Sequence, residues 1–238
     1  MLDPYENIFI GTFLYSLGIV IGRRSAGGSP PGVVNLLQQT PLDGVLSDVH
    51  LSYPGLVRLI EFKRTSNTSD KEELKRAELQ ILVANRTDLQ DISRTVHWYI
   101  ETSESPIDWS TRICPYLDFE DRSLGERSLI DFATSIADAV ERLQSTGVQD
   151  AECDPEKVQL YLNILATCSG KKGSSSGVLV IVGPDGVLRY IALDNIHDLR
   201  LELSAHKEQT RELSQRIEAL RVMDSGRIDR ERGISYGR

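Results

Sequence analysis

Two runs rich in β-branched and apolar residues, 44–52 (GVLSDVHLS) and 56–64 (LVRLIEFKR), are separated only by Tyr53-Pro54-Gly55. So short a connection leaves no room for a crossover, and the runs must pair as an antiparallel hairpin. Strand side chains alternate with period two. Leu46, Asp48 and His50 therefore share one face of the first strand, and Val45, Val49 and Leu51 the other. On the second strand Leu59, Glu61 and Lys63 oppose Ile60 and Phe62. Asp48, Glu61 and Lys63 are thus charges set into strands that otherwise favour burial. A carboxylate buried in a sheet costs several kcal/mol unless it is paired or holds a metal. Glu61 and Lys63 project the same way, and Asp48 can face them from the neighbouring strand. Mg²⁺ is held by such oxygens, usually one or two carboxylates completed by water and phosphate. A strand-edge ion pair between Lys63 and an acid is the other account.

The flanks supply helices. Asp3, Pro4 and Glu6 have the spacing of a helix start, with an acid three residues after the cap. The predicted helix runs from 4 to about 18, with Ile10, Phe13 and Leu17 on the stripe of Glu6. Glu6 either completes the capping box or points into a site. Residues 22–32 (GRRSAGGSPPG) read as a loop, which leaves Arg23 and Arg24 to meet a phosphate or solvent. Residues 69–86 read as a helix capped by Ser69 and Glu72. Its Lys71, Lys75 and Arg76 either line a phosphate track or form a solvated face. The alternating segment RTVHWYIETS (94–103) reads as a strand that completes the sheet, with His97 as a packed side chain.

This succession of helix, β-meander, helix and strand carries Asp48, Glu61 and Lys63 in the spacing Asp-x₁₂-Glu-x-Lys. It resembles the PD-(D/E)XK nuclease superfamily, which includes restriction, repair and phage-defence nucleases. The family's proline is replaced by Ser47. The glutamine–tyrosine pair of some members is incomplete, because Ala84 stands four residues after Gln80. The resemblance covers roughly residues 1–102. It implies an α/β (α+β) fold with a restriction-endonuclease-like core. It also implies a nuclease that hydrolyses phosphodiester bonds with Mg²⁺ or Mn²⁺, on DNA rather than RNA. Asp48, Glu61 and the Phe62 carbonyl would hold the metal. Lys63 would orient or deprotonate the attacking water, and Glu6 would contact the metal from the first helix. The setting implied is a subunit of a prokaryotic defence or restriction complex. The alternative is a catalytically silent nuclease-like subunit that binds a protein or nucleic-acid partner.

Beyond residue 105 the pattern changes. Residues 105–121 read as a connection, 124–145 and 154–167 as amphipathic helices, and VLVIV and VLRYIAL as a hairpin around Gly183-Pro184-Asp185-Gly186. The low-complexity stretch 169–177 lacks phosphate-loop spacing. A helix over 197–223 carries Leu199, Leu203, Leu213, Ile217 and Leu220 on a short heptad seam, interrupted by His206 and Thr210. That seam would join a second copy, dock on a partner or fold back. The expected organisation is a nuclease-like core (1–105), a helical and hairpin accessory region (106–196) and an assembly helix with a basic tail (197–238). A net charge of −8 excludes a chain coated in positive charge for unselective nucleic-acid binding, though not a local basic groove. Cys114, Cys153 and Cys168 are widely spaced and form no CxxC, which argues against a zinc site or disulfide framework. The apolar run 8–21 is too short for a membrane span and follows acidic residues, unlike a signal peptide. A cytoplasmic protein without membrane contact is the expectation.

Overall fold

A computed structural model of the chain describes residues 5–24, 32–36, 47–53, 55–67, 70–103, 110–125, 127–146, 154–168, 177–182 and 188–193. The elements are α1 (Glu6–Arg24), β1 (Gly32–Leu36), β2 (Val49–Tyr53), β3 (Leu56–Arg64), α2 (Lys71–Val83), α3 (Thr87–Val96), β4 (His97–Ser103), β5 (Ser110–Pro115), α4 (Leu129–Thr146), α5 (Pro155–Cys168), β6 (Gly177–Val182) and β7 (Leu188–Leu193). They form a mixed α/β fold on one seven-stranded sheet, ordered β5-β4-β3-β2-β1-β6-β7. β3 and β4 run parallel, and every other neighbouring pair is antiparallel.

The expected hairpin is β2–β3. Gly55 in its turn holds φ 79°, which glycine adopts without Cβ strain. β3 is buried on both faces over its first seven residues, as a central strand covered by two helical layers must be. Its side chains divide by parity. Val57 and Leu59 enter a core with Leu79 of α2, Leu89 and Ile92 of α3, and Tyr161 and Leu165 of α5. Ile60 and Phe62 enter a second core with Phe13 and Leu17 of α1 and Phe132 and Ile136 of α4. The sheet therefore lies between α2, α3 and α5 on one side and α1 and α4 on the other.

Several boundaries differ from the sequence reading. α1 does not stop at 18 but continues through Gly18 and Gly22 to Arg24. Phe13, Leu17 and Ile21 extend its buried stripe, and that packing outweighs the low helix propensity of glycine. Arg23 and Arg24 are consequently in the last helical turn, where cations complement the helix dipole. The segment 94–96 is the end of α3, not strand, because Leu89, Ile92 and Val96 pack as a helical stripe. β1 starts at the end of the 22–32 loop and occupies residues for which no element is expected, while β5 lies within the expected connection and closes on Pro115 at the sheet edge, where proline is tolerated. α4 begins at Leu129 rather than 124. Gly125 holds φ 102° and its carbonyl accepts from the Ile113 N–H at 2.7 Å, which fastens this stretch to β5. Ser128 and Asp131 then exchange capping bonds of 3.1 and 2.7 Å.

Among the described residues after 105, β5, β6 and β7 join the same sheet, and α4 and α5 enter one core each. β5 pairs with β4, α4 packs on α1, α5 packs on α2 and α3, and β6 pairs with β1. Asp3, Pro4, Ser69, the stretch 169–176 and the helix expected over 197–223, with Leu199, Leu203, Leu213, Ile217 and Leu220, lie outside the described residues. Among the described residues no helix is long and apolar enough to cross a membrane.

Phe13 is fully buried, with ring centroids 5.8 Å from those of both Phe62 and Phe132. Phe13→Ala should lower unfolding free energy by about 3–5 kcal/mol in a urea titration. A loss below ~1 kcal/mol would show that α1 does not seal this core.

Candidate active site

The β2–β3 register pairs Val49 with Ile60 and His50 with Leu59. Continued by one residue, it sets Asp48 opposite Glu61, and directly opposed residues share a sheet face. The ladder stops there. The Ser47 hydroxyl donates to the Val49 carbonyl at 3.0 Å, and the chain bends at Asp48. The Asp48 carboxylate then accepts the Phe62 N–H at 2.7 Å, a side chain taking over where the strand pairing ends. Hydrogen bonds to a charged group contribute roughly 1.5–3 kcal/mol, so this one anchors the acid against the motif strand. Asp48 is 6% exposed and Glu61 8%.

Glu61 faces α2. Lys75 Nζ lies 3.8 Å from Glu61 Oε2 and 3.7 Å from Glu72 Oε2, and the lysine side chain is only 10% exposed. The ammonium also sits 5.7 Å above the Tyr116 ring, within cation–π range. Tyr116 donates its hydroxyl to Glu72 Oε2 at 2.7 Å. Burial, and then the Glu72 charge, push the Tyr116 phenol well above its usual value, so it stays a donor. His97 stacks on Tyr116 with centroids 4.0 Å apart and planes 3° from parallel. Its Nδ1 lies 2.8 Å from the Tyr161 hydroxyl, which in turn lies 2.7 Å from Ser93 Oγ. Burial, helped by the Lys75 charge, drives the His97 pKa well below 6.5 and keeps the ring neutral. His97 is thus the packed residue expected from the sequence.

Lys63 follows two residues after Glu61 on the same face and is half-buried. Its register partner on β4 is Glu101, which is engaged by Arg112 at 3.1 Å and by Arg122. Among the described residues Lys63 forms no ion pair, and its register partner Glu101 is engaged elsewhere. Glu6 reaches the end of β3 from the opposite layer. Its Oε1 accepts from the Arg64 N–H at 3.2 Å and from Asn67 Nδ2 at 3.3 Å, fastening α1 to the strand one residue past Lys63.

The structure does not gather the basic residues into one track. Arg24 pairs with Asp138 of α4 and lies 3.7 Å from Glu141. Eighteen residues of helix, about 27 Å, separate it from Glu6. Arg23 beside it is exposed. Arg76 is buried, pairs with Glu120 and lies 5.2 Å over the Phe119 ring, so it is part of the packing. Gln80 donates to the Leu117 carbonyl at 3.2 Å. Lys75 turns inward, and Lys71 remains exposed on α2. Sequence reasoning missed Glu72 and Tyr116 as parts of the site. Glu72 was visible one helical turn before Lys75, but Tyr116 lies in a stretch with no strand pattern.

Among the described residues no three His, Cys, Asp or Glu side chains gather closely enough to hold a metal ion. Asp48, Glu61 and a neighbouring main-chain carbonyl are hard oxygen donors, and two carboxylates suffice for Mg²⁺ when water and phosphate complete its shell. Glu61 already draws a cation, the Lys75 ammonium, to 3.8 Å. The donor set therefore fits a divalent cation. Comparison with family models, curated proteins and solved structures returns no match to this chain.

The buried histidine generates a pH test. Its folded pKa is depressed while the unfolded chain titrates near ~6.5, so the unfolded state binds more protons below that value. The His97 contribution is present above pH ~6.5 and is lost as pH falls through the folded pKa. His97→Asn should flatten the loss of unfolding free energy between about pH 7 and 5 relative to the unsubstituted chain. Parallel curves for the two proteins would reject the assignment.

Proposed function

We propose that the chain is a nuclease that hydrolyses phosphodiester bonds, DNA before RNA, with Mg²⁺ or Mn²⁺. The observation that carries this reading is the Asp48–Phe62 hydrogen bond at 2.7 Å. It fixes one acid against the strand that presents Glu61 and Lys63 on a single face. The order α1, meander β1–β2–β3, helices, then β4 parallel to β3 is also the order that the PD-(D/E)XK resemblance implies. Together they support a restriction-endonuclease-like core.

In this reading Asp48, Glu61 and the Phe62 carbonyl hold the cation. When bound, a divalent cation supplies charge neutralisation at the phosphate and acidifies bound water. Lys63 orients the attacking water and offsets the charge that builds on the phosphate oxygens. The water oxygen bonds to phosphorus, the bond to the leaving oxygen breaks, and that oxygen takes up a proton. Glu6 is a positioning residue, because its bonds to the Arg64 N–H and the Asn67 side-chain amide hold the chain next to Lys63.

A second reading, a nuclease-like subunit that binds a partner without cleaving, is favoured by one observation. Lys75 lies 3.8 Å from Glu61 and already neutralises it.

Cleavage of supercoiled, linear and single-stranded DNA, with RNA alongside, separates the two. Asp48→Asn keeps an acceptor for the Phe62 N–H but removes the charge. It and Lys63→Ala should each lower Mg²⁺-dependent cleavage by about 100-fold or more while the thermal melt stays in place. Undiminished cutting in both variants refutes the nuclease assignment, and a folded chain that cuts none of the substrates supports the partner-binding subunit.

A further inference from the structure

Lys75 stands between a strand carboxylate and a helix carboxylate at nearly equal distances, 3.8 Å to Glu61 and 3.7 Å to Glu72. Both exceed the roughly 2.7–2.9 Å of a charge-assisted hydrogen bond, so the ammonium is shared by Coulomb attraction rather than locked onto either oxygen. The two acids are not equivalent. Glu72 is pinned from the other side by the Tyr116 hydroxyl at 2.7 Å, whereas Glu61 belongs to the strand that carries the candidate metal ligands. Lysine suits such a place, since it is a compact charge on a flexible four-carbon stem.

Resting on the reading of Asp48 and Glu61 as metal ligands, we infer that Lys75 is the resident counter-ion of the site. In the metal-free protein it neutralises Glu61, and it withdraws onto Glu72 when a divalent cation binds. Lys75 is then a positioning residue that sets the cation concentration at which the site loads. Without it, the two carboxylates that share the ammonium, Glu61 and Glu72, lose their common counter-charge. With it, an incoming cation must first displace a positive charge from one of its own ligands. Glu72 lowers the cost of that exchange by receiving the ammonium.

The test is calorimetric titration of the full chain with Mn²⁺, beside thermal melts in EDTA and in Mn²⁺. Lys75→Met should bind Mn²⁺ about tenfold tighter or more, because the competing charge is gone, while Lys75→Arg stays within about threefold of the unsubstituted chain. Lys75→Met should also melt lower in EDTA and recover in Mn²⁺, which a merely structural ion pair would not do. Glu72→Gln keeps an acceptor for Tyr116 but removes the receiving charge, and should weaken Mn²⁺ binding several-fold. Equal or weaker Mn²⁺ binding by Lys75→Met, with binding still abolished by Asp48→Asn, overturns the counter-ion role and leaves the metal site standing. If Lys75→Met does not fold even in Mn²⁺, unchanged or tighter binding by Glu72→Gln overturns it. Absence of Mn²⁺ binding in every protein overturns both the counter-ion role and the metal reading.

Discussion

β3 is buried over its first seven residues, and a charge set into that stretch costs several kcal/mol unless another group meets it. The Phe62 N–H answers Asp48 from the strand itself, and Lys75 answers Glu61 from α2. One strand away, Arg112 and Arg122 answer Glu101. These contacts depend on the β2–β3 register, since a slip by one residue would turn Glu61 and Lys63 into the core of Phe13 and Phe132. The aromatic floor of Tyr116, His97 and Tyr161 stiffens the arrangement from below. Each ring either stacks on or hydrogen-bonds with its neighbour, and the last reaches across to Ser93 of α3.

The charges engaged in this way also shape what the surface offers to a polyanion. Arg24, Arg76, Arg112 and Arg122 are spent on acids within the fold, which leaves Arg23 and Lys71 as the exposed members of the expected basic set. Among the described residues, those two are what remains of that set for a polyanion to meet.

The parts of the fold that were legible in the sequence are those whose pattern and packing agree. β3, the turn at Gly55 and α5 were readable because periodicity, turn residues and burial point the same way, and the β6–β7 pairing because its two apolar runs flank a Gly-Pro-Asp-Gly sequence. That Glu61 and Lys63 share a face was readable because strand parity alone decides it, whereas Asp48 stands one residue before β2, where the ladder has ended and its carboxylate meets the Phe62 N–H. α3 was hidden because Thr95 and Val96 favour strand locally, while Leu89, Ile92 and Val96 earn their helix only against the core. β5 was hidden by its proline and by flanking acids, and Tyr116 with it. The inward turn of Lys75 could not be read either. Residues three and four apart on a helix reveal a common face, but not which strand that face meets.

The two helical layers differ in how much chain must be gathered to form them. Asp48 meets Phe62 across 14 residues, and α2 follows directly on β3. Arg24 meets Asp138 across 114 residues. Loop-closure entropy grows as the logarithm of length, so the long closure carries an extra cost of about 2 kcal/mol. The short closures enclose the candidate site, and the long one seals the layer of α1 and α4. Opening α1 away from α4 releases the long loop and leaves the ligands of the site in contact. Amide exchange in α1 ahead of β3 would be the signature of that hierarchy, and a site assembled from neighbouring segments would then survive the loosening of its far wall.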